Sequence, residues 1–345
     1  MKKLKFWGAA LVLAGILIRP EASVAGAQRA MRLWCESVAP ALFPFLALLP
    51  ALTGPEACAA YDAALSRIMG PLFALPGAAA PALFIGMISG SPGGAIAVRR
   101  VAGETGMRSM DARRLALALS GLSPAYLILG VGQGLYGSAA LGLRLALIQA
   151  CAQLILLAAL RFAPHGGEER IPPLAGEARA QNPVRAAVEG VLAISGYMVL
   201  FSAAACAFAS FAGEWAGMAL LLAADLPSGL AALAKWQGPG RLLIQGAALG
   251  FGGLCIAAQN LDAMRDLGVR AREYFAVRGA AAALIACASG LLFRSVDSGA
   301  EGFVNGGHSA YAFSLLAAGL LALPGLIFLT RNLFLNIRSR ATKAP

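Results

Sequence analysis

The stretch Gly86–Arg100, GMISGSPGGAIAVRR, interrupts a long apolar segment with four glycines and one proline. In a membrane such breaks free backbone polar groups that lipid cannot satisfy, so they persist only where protein, ligand or water supplies partners. The stretch therefore predicts a helical hairpin that enters the membrane and returns, with SGSPGG at its tip near the midplane.

Composition places the chain in a membrane. Of its 345 residues 59% are hydrophobic and only 13% are charged, and the mean hydropathy is +0.72. In soluble domains about a quarter of the residues are charged. Several apolar windows here also reach the roughly 20 residues that a helix needs to cross a bilayer. We therefore expect an all-α polytopic membrane protein.

The residues that usually carry metal or catalytic chemistry are sparse. Six cysteines are scattered singly and the two histidines fall between apolar segments, so the spacing predicts no zinc site or disulfide framework. No nucleotide-binding or hydrolase motif is present either. We expect no metal, no cofactor and no enzymatic activity.

The distribution of basic residues predicts the topology. The formal net charge is +11, and cytoplasmic loops of membrane proteins collect Lys and Arg. If every apolar segment crossed once, the arginine-rich loop 99–114 would lie outside. If residues 71–98 and 214–234 instead each enter and leave on one side, most of the 28 Lys and Arg residues become cytoplasmic. The charge thus reflects orientation and does not indicate nucleic acid as a partner.

This scheme predicts about eight transmembrane helices plus two re-entrant hairpins in an inverted repeat, the plan of many secondary transporters. Its single membrane domain, 1–345, divides into an N-terminal helix (1–30), repeat 1 (31–160, hairpin 71–98), a cytoplasmic linker (161–185), repeat 2 (186–294, hairpin 214–234) and a last helix (309–330). The first helix also fits a signal peptide, but Arg19, Pro20 and Glu21 interrupt the approach to a cleavage site and favour retention.

The first hairpin tip predicts a solute site. The N-terminus of a half-helix carries about half a positive charge and free N–H groups, which can hold a carboxylate or the polar edge of a ring. The alternative is that small residues here only allow close helix packing. The candidate residues are Ser89, Gly90, Ser91, Pro92, Gly93 and Gly94.

The second tip, ADLPSGL (224–230), contains the acidic residue that the pattern places deepest in an apolar segment, Asp225, followed by Ser228 and Gly229. Buried ionisable groups in membranes usually mark a pathway or a proton relay; the alternative is that Asp225 caps a shallow half-helix. A broken stretch follows each hairpin and is expected to face the same cavity. SGLSPAYLILG (120–130) brings Ser123 and Tyr126, which either stacks on an aromatic ligand or only packs, and GFGGLCIAAQN (250–260) brings Gln259 and Asn260.

Four stretches together resemble a known family. They are APALFPFLALLPAL (39–52), GMISGSPGGA (86–95), RRLALALSGLSPAYLILG (113–130) and GFGGLCIAAQ (250–259). In this order they resemble the YlbJ-type sporulation integral membrane proteins of the nucleoside-recognition (Gate) group, which is distantly similar to concentrative nucleoside transporters. The family's hairpin motif falls on Ser89, Gly90, Pro92, Gly94 and Ala95, and its second acidic stretch falls on residues 225–229.

The resemblance implies a role in endospore formation and the movement of dipicolinate, a flat aromatic dianion, across the outer forespore membrane. The first hypothesis is thus a multi-pass transporter or facilitator whose partners are a small-molecule solute and the lipid bilayer. The alternatives are an ion-coupled transporter of nucleosides or other organic solutes, and a non-transporting scaffold in spore assembly. Further candidate partners are a second copy of the chain and other sporulation membrane proteins.

Overall fold

The computed structural model describes residues 2–162, 169–172, 182–236 and 240–292. Within these ranges the chain is helical and forms no strand, which confirms the all-α class. The last helix, predicted at 309–330, and much of the linker at 161–185 lie outside the described residues.

The helices follow the apolar segments of the sequence. Proline at the first turn begins several of them, where its missing N–H and fixed φ suit a helix start. In chain order they are α1 (Lys2–Ile18), α2 (Pro20–Leu52), α3 (Pro55–Phe73), α4 (Ala80–Ser89), α5 (Gly93–Thr105), α6 (Ser109–Ala118), the π-helical α7 (Tyr126–Leu135), α8 (Ala139–Leu160), α9 (Pro183–Ala209), α10 (Glu214–Ala224), α11 (Leu226–Lys235), α12 (Arg241–Phe251), α13 (Gly253–Ala263) and α14 (Ala271–Leu292).

Four helical stretches in the described part are long and apolar enough to cross a bilayer. The helices Pro55–Phe73 and Gly77–Ser89, which are bent by 93° relative to each other, would make a fifth span if they are counted together. The four are α2, α8, α9 and the consecutive helices α12 and α13. The chain is a multi-pass integral membrane protein. The predicted total of about eight spans and the inverted repeat stay predictions.

Helix α2 crosses the predicted boundary between the N-terminal helix (1–30) and repeat 1 (31–160). It runs unbroken from Pro20 to Leu52, with one π-helical turn at Trp34–Val38. The stretch 20–32 is rich in alanine, the best helix former, and tertiary contacts with α9 cover its small residues. Among these contacts, Gly26 lies so close to α9 that a Cβ there would be 2.6 Å from the Ser202 carbonyl oxygen.

Hairpin 1 consists of α4 and α5, residues 80–105, joined by a short break at residues 90–92. Its entry lies later than the predicted residue 71, because Ala74 takes a left-handed conformation that ends α3. The two arms pack through glycines: a Cβ on Gly86 would lie 3.1 Å from Gly94 Cα. The chain therefore turns back on itself at the predicted tip.

Hairpin 2 consists of α10 and α11, residues 214–235, and breaks at Asp225. Its arms also touch, since a Cβ on Gly229 would lie 2.4 Å from Leu222 N. Two residues seven apart on one straight helix would be about 10 Å apart, at 1.5 Å per residue, so this contact requires the chain to reverse direction.

The helix after each hairpin is itself interrupted. Between α6 and α7 the chain leaves the helix at residues 119–123, and between α12 and α13 Gly252 and Gly253 have φ of +88° and +80°. After α1, residues 20–160 thus follow the order long helix, hairpin, broken helix, long helix. Residues 183–292 follow the same order, except that no helix corresponding to α3 precedes hairpin 2.

Candidate functional site

One cavity of about 390 Å³ lies where the two hairpin tips meet. Ser89 and Ser91 of hairpin 1 line one side, and Asp225 with Pro227 of hairpin 2 lines another. The two breaks predicted from separate parts of the sequence therefore face a common space.

Four further elements complete the wall, and two of them are the broken stretches expected from the sequence. Residues Ser123 and Tyr126 come from the first broken helix, and Cys255 and Gln259 come from α13. Helices α2 and α9 close the remainder, with Leu33, Glu36, Ser37, Val38, Pro40, Ala41, Leu42, Ile194 and Met198.

The start of α7 positions Tyr126. The Ser123 hydroxyl oxygen accepts a hydrogen bond of 3.2 Å from the Tyr126 backbone N–H, which caps the helix as serine often does. The Tyr126 ring then lies against Gly130, where a Cβ would be 3.0 Å from the ring carbon Cδ2. π-Helical turns are rare and frequent at functional sites, and here one on α7 and one on α2 both contribute residues to the cavity.

Asp225 lies at the junction of α10 and α11 and is only 5% exposed. Its carboxylate Oδ2 lies 2.8 Å from the Ser202 hydroxyl oxygen, which is also 3.0 Å from the Gly26 carbonyl oxygen. Ser228 faces the same carboxylate, and Arg29 acts on it electrostatically. No ion pair to Asp225 occurs within 4 Å in the described ranges.

The glycines of the first tip do not reach the cavity wall. Gly90 packs against the backbone of Ser123, Gly93 against Ser89 and Gly94 against Leu119. Their role in the structure is the close approach of neighbouring chain segments, as in the packing alternative. Pro92, which follows a cis peptide bond, Ser228 and Gly229 also lie outside the lining.

Asn260 is fully buried behind the cavity wall. Its side-chain Nδ2 lies 3.0 Å from Ser91 Oγ, 3.1 Å from the Ile256 carbonyl oxygen and 3.1 Å from the Tyr274 hydroxyl oxygen. The amide thus ties the first hairpin tip to α13 and α14. Asn260 was predicted at the site itself, but it lies one layer behind Ser91.

Two charged residues escaped the sequence analysis. Glu36 lines the cavity from the π-helical turn of α2, although it was not among the predicted site residues. Arg278 on α14 is 1% exposed, and its guanidinium donates to the carbonyl oxygens of Phe251 (3.2 Å) and Leu249 (3.4 Å) at the end of α12. A lone arginine inside an apolar segment was the available signal for this residue.

The chemistry of the wall is mostly apolar with a few polar groups, as in many sites for small organic molecules. Hydroxyls of four serines, Ser37, Ser89, Ser91 and Ser123, and the Gln259 amide can donate and accept hydrogen bonds. The charged groups among the described lining residues are the two carboxylates of Glu36 and Asp225, and this described lining contains no lysine or arginine. Arg29 acts on Asp225 from outside the lining. The cavity therefore suits a polar ring better than an unaccompanied anion.

Comparison with curated proteins finds a match to the sporulation integral membrane protein YlbJ of Bacillus subtilis (strain 168). The two are 32% identical over 133 residues, which is 39% of this chain and 33% of the relative. The resemblance expected from the sequence is therefore confirmed, over a third of the length of that relative. No family model matches the chain, and no solved structure is significantly similar to it.

Proposed function

We propose that the chain is a secondary transporter or facilitator that holds a small organic solute between its two hairpin tips. Dipicolinate, crossing the outer forespore membrane, is the first candidate solute. The observation that carries this proposal is the shared cavity lined by Ser89 and Ser91 of one tip and Asp225 of the other. Discontinuous helices that meet around a polar cavity are the way many transporters build a binding site.

Two further features support a transport role. The order long helix, hairpin, broken helix, long helix occurs twice in the described chain, and repeated units that rock against each other provide alternating access in many transporters. The Tyr126 ring offers an aromatic face in the wall, and stacked aromatic pairs gain about 0.5–1.5 kcal/mol.

The uncharged polar groups of the wall favour one alternative, a transporter of nucleosides or similar solutes. Ser89, Ser123 and Gln259 can bond to hydroxyls and ring nitrogens without requiring a charge on the solute. A non-transporting scaffold in spore assembly, by contrast, would not need these side chains around an internal space.

Solute flux into liposomes separates the three functions. Wild-type protein is compared with Ser91→Leu, which fills the cavity, and with Ser195→Leu as the matched control, because Ser195 lies on α9 away from the cavity and bonds within its own helix. The proposal expects dipicolinate flux that Ser91→Leu abolishes and Ser195→Leu retains. Flux of uridine alone would favour the nucleoside alternative, and equal leakage of both solutes with all three proteins would contradict transport.

A further inference from the structure

The Ser202 hydroxyl sits between two acceptors, and this arrangement limits the protonation state of Asp225. Its oxygen lies 3.0 Å from the Gly26 carbonyl oxygen and 2.8 Å from Asp225 Oδ2. A hydroxyl has one proton to donate but two lone pairs that accept. Both short contacts are therefore hydrogen bonds only when Asp225 itself carries a proton and donates it to Ser202.

Little solvent water can reach this point to supply a second hydrogen-bond donor. Ser202 is 1% exposed and Asp225 is 5% exposed, and an ionised carboxylate with no ion pair in direct contact is costly in such surroundings. We therefore propose that Asp225 is a proton-carrying site in the cavity, and that the solute moves together with its proton. This inference rests on the proposed transport function and adds the coupling ion to it.

The groups around Asp225 can stabilise both its protonated and its ionised form. Those that face it from the elements packed against it are Arg29 on α2, Tyr126 on α7, Ser202 on α9, Cys255 on α13 and, on its own helix, Ser228. The Arg29 guanidinium lies 3.0 Å from Cys206 Sγ. Arg29 is the cation that stabilises the carboxylate once the proton has left.

Loss of the proton changes the contact between two membrane helices. The Asp225 carboxyl releases one proton to water or to a basic group of the solute in the cavity, and becomes an acceptor only. Ser202 then turns its proton to Asp225, and the hydrogen bond from Ser202 to Gly26 is broken. Protonation of Asp225 thus determines whether α9 is bonded to α2 at this point.

The same proton reduces the negative charge of the cavity. An anionic solute beside Glu36 and an ionised Asp225 would be repelled by both carboxylates. A proton on Asp225 removes one of these two repulsions. An anion such as dipicolinate therefore enters a less negative site when the proton is present.

Asp225→Asn is the informative variant, because its amide can donate to Ser202 as the protonated acid does but cannot release a proton. Glu56→Gln on α3, an exposed acid away from the cavity, is the matched control. The proteins are reconstituted in phosphatidylcholine vesicles that enclose a pH-sensitive dye, and a gradient of dipicolinate or uridine is applied. We expect solute-driven proton movement in wild type and Glu56→Gln, and its loss in Asp225→Asn.

A second measurement tests the protonation of Asp225 independently of solute transport. Infrared difference spectra between wild type and Asp225→Asn should show the carbonyl band of a protonated carboxylic acid at neutral pH, whether or not solute moves. Solute flux without proton movement in wild type would overturn the coupling, and absence of the acid band would overturn the protonated site. The band without any solute flux would support the proton site while contradicting the transport function.

Discussion

The backbone N–H of Ser91 donates a hydrogen bond of 2.8 Å to the carbonyl oxygen of Gly121. This bond joins the tip of hairpin 1 to the break between α6 and α7, so two interrupted segments satisfy each other's backbone groups inside the membrane. It explains how the chain tolerates irregular backbone there, since such groups need protein or water partners in a membrane.

Gly90→Ala should disrupt this junction. Gly90 has φ +67°, and a Cβ there would lie 2.3 Å from Ser123 N, a backbone atom that cannot move away alone. The Gly90 ψ of −159° places this residue in a positive-φ region that is essentially restricted to glycine, so we expect a loss of roughly 1–3 kcal/mol, seen as a lower melting temperature in detergent. Gly196→Ala, with nothing within 4 Å of its Cβ position, is the control and should melt as wild type does; equal melting of both variants would contradict the tip geometry.

Gly229→Ala tests the turn of hairpin 2. Its Cβ would meet Leu222 N at 2.4 Å, so the arms of the hairpin would have to separate. We expect faster proteolysis between α10 and α11 than in wild type. Gly279→Ala, in open space on α14, is the control, and wild-type proteolysis of Gly229→Ala would mean that the arms do not touch.

Arg278→Met tests the buried cation. Removing the guanidinium leaves the Leu249 and Phe251 carbonyl oxygens at the end of α12 without these donors. Unsatisfied buried groups cost about 1–3 kcal/mol, so the melting temperature should fall, with Arg278→Lys intermediate because one ammonium replaces a planar fork. If Arg278→Met is as stable as wild type, the carbonyl contacts do not support the break.

Arg113 and Glu273 form an ion pair of 2.5 Å between α6 and α14. Both side chains are partly exposed, 20% and 31%, so a double-mutant cycle with Arg113→Gln and Glu273→Gln should give a coupling of about 0.5–1 kcal/mol. Denaturation in detergent measures it, and high salt should reduce it. A coupling near zero at low salt would show that the pair does not join the two halves of the chain.

Sequence alone predicted both hairpins and the convergence of Ser123, Tyr126 and Gln259 with their tips, because proline and glycine inside apolar segments are strong local signals. It placed a boundary at residues 30–31, inside the continuous helix α2, because the contacts with α9 that stabilise this helix come from residues distant in the sequence. It missed the setting of Arg278 for a similar reason: its acceptors lie 27 and 29 residues away. Local pattern cannot show such partners.

Tyr126→Phe and Tyr126→Leu separate stacking from simple packing. If an aromatic solute stacks on the ring, Tyr126→Phe should keep its half-saturation concentration, whereas Tyr126→Leu should raise it by about two- to tenfold, the equivalent of roughly 0.5–1.5 kcal/mol. Concentration-dependent uptake into liposomes measures this. An unchanged half-saturation concentration in Tyr126→Leu would leave Tyr126 as a packing residue.

Chemical protection of a cysteine at the first tip tests the solute cavity most directly. The six native cysteines are replaced, Ser91→Cys is introduced, and its reaction with a small membrane-impermeant thiol reagent is timed with and without dipicolinate. The account predicts that the solute slows labelling at position 91 and leaves unchanged the labelling of a cysteine introduced in place of the exposed Glu56. Equal labelling rates at position 91 with and without a solute that the protein transports would contradict the placement of that solute between the hairpin tips.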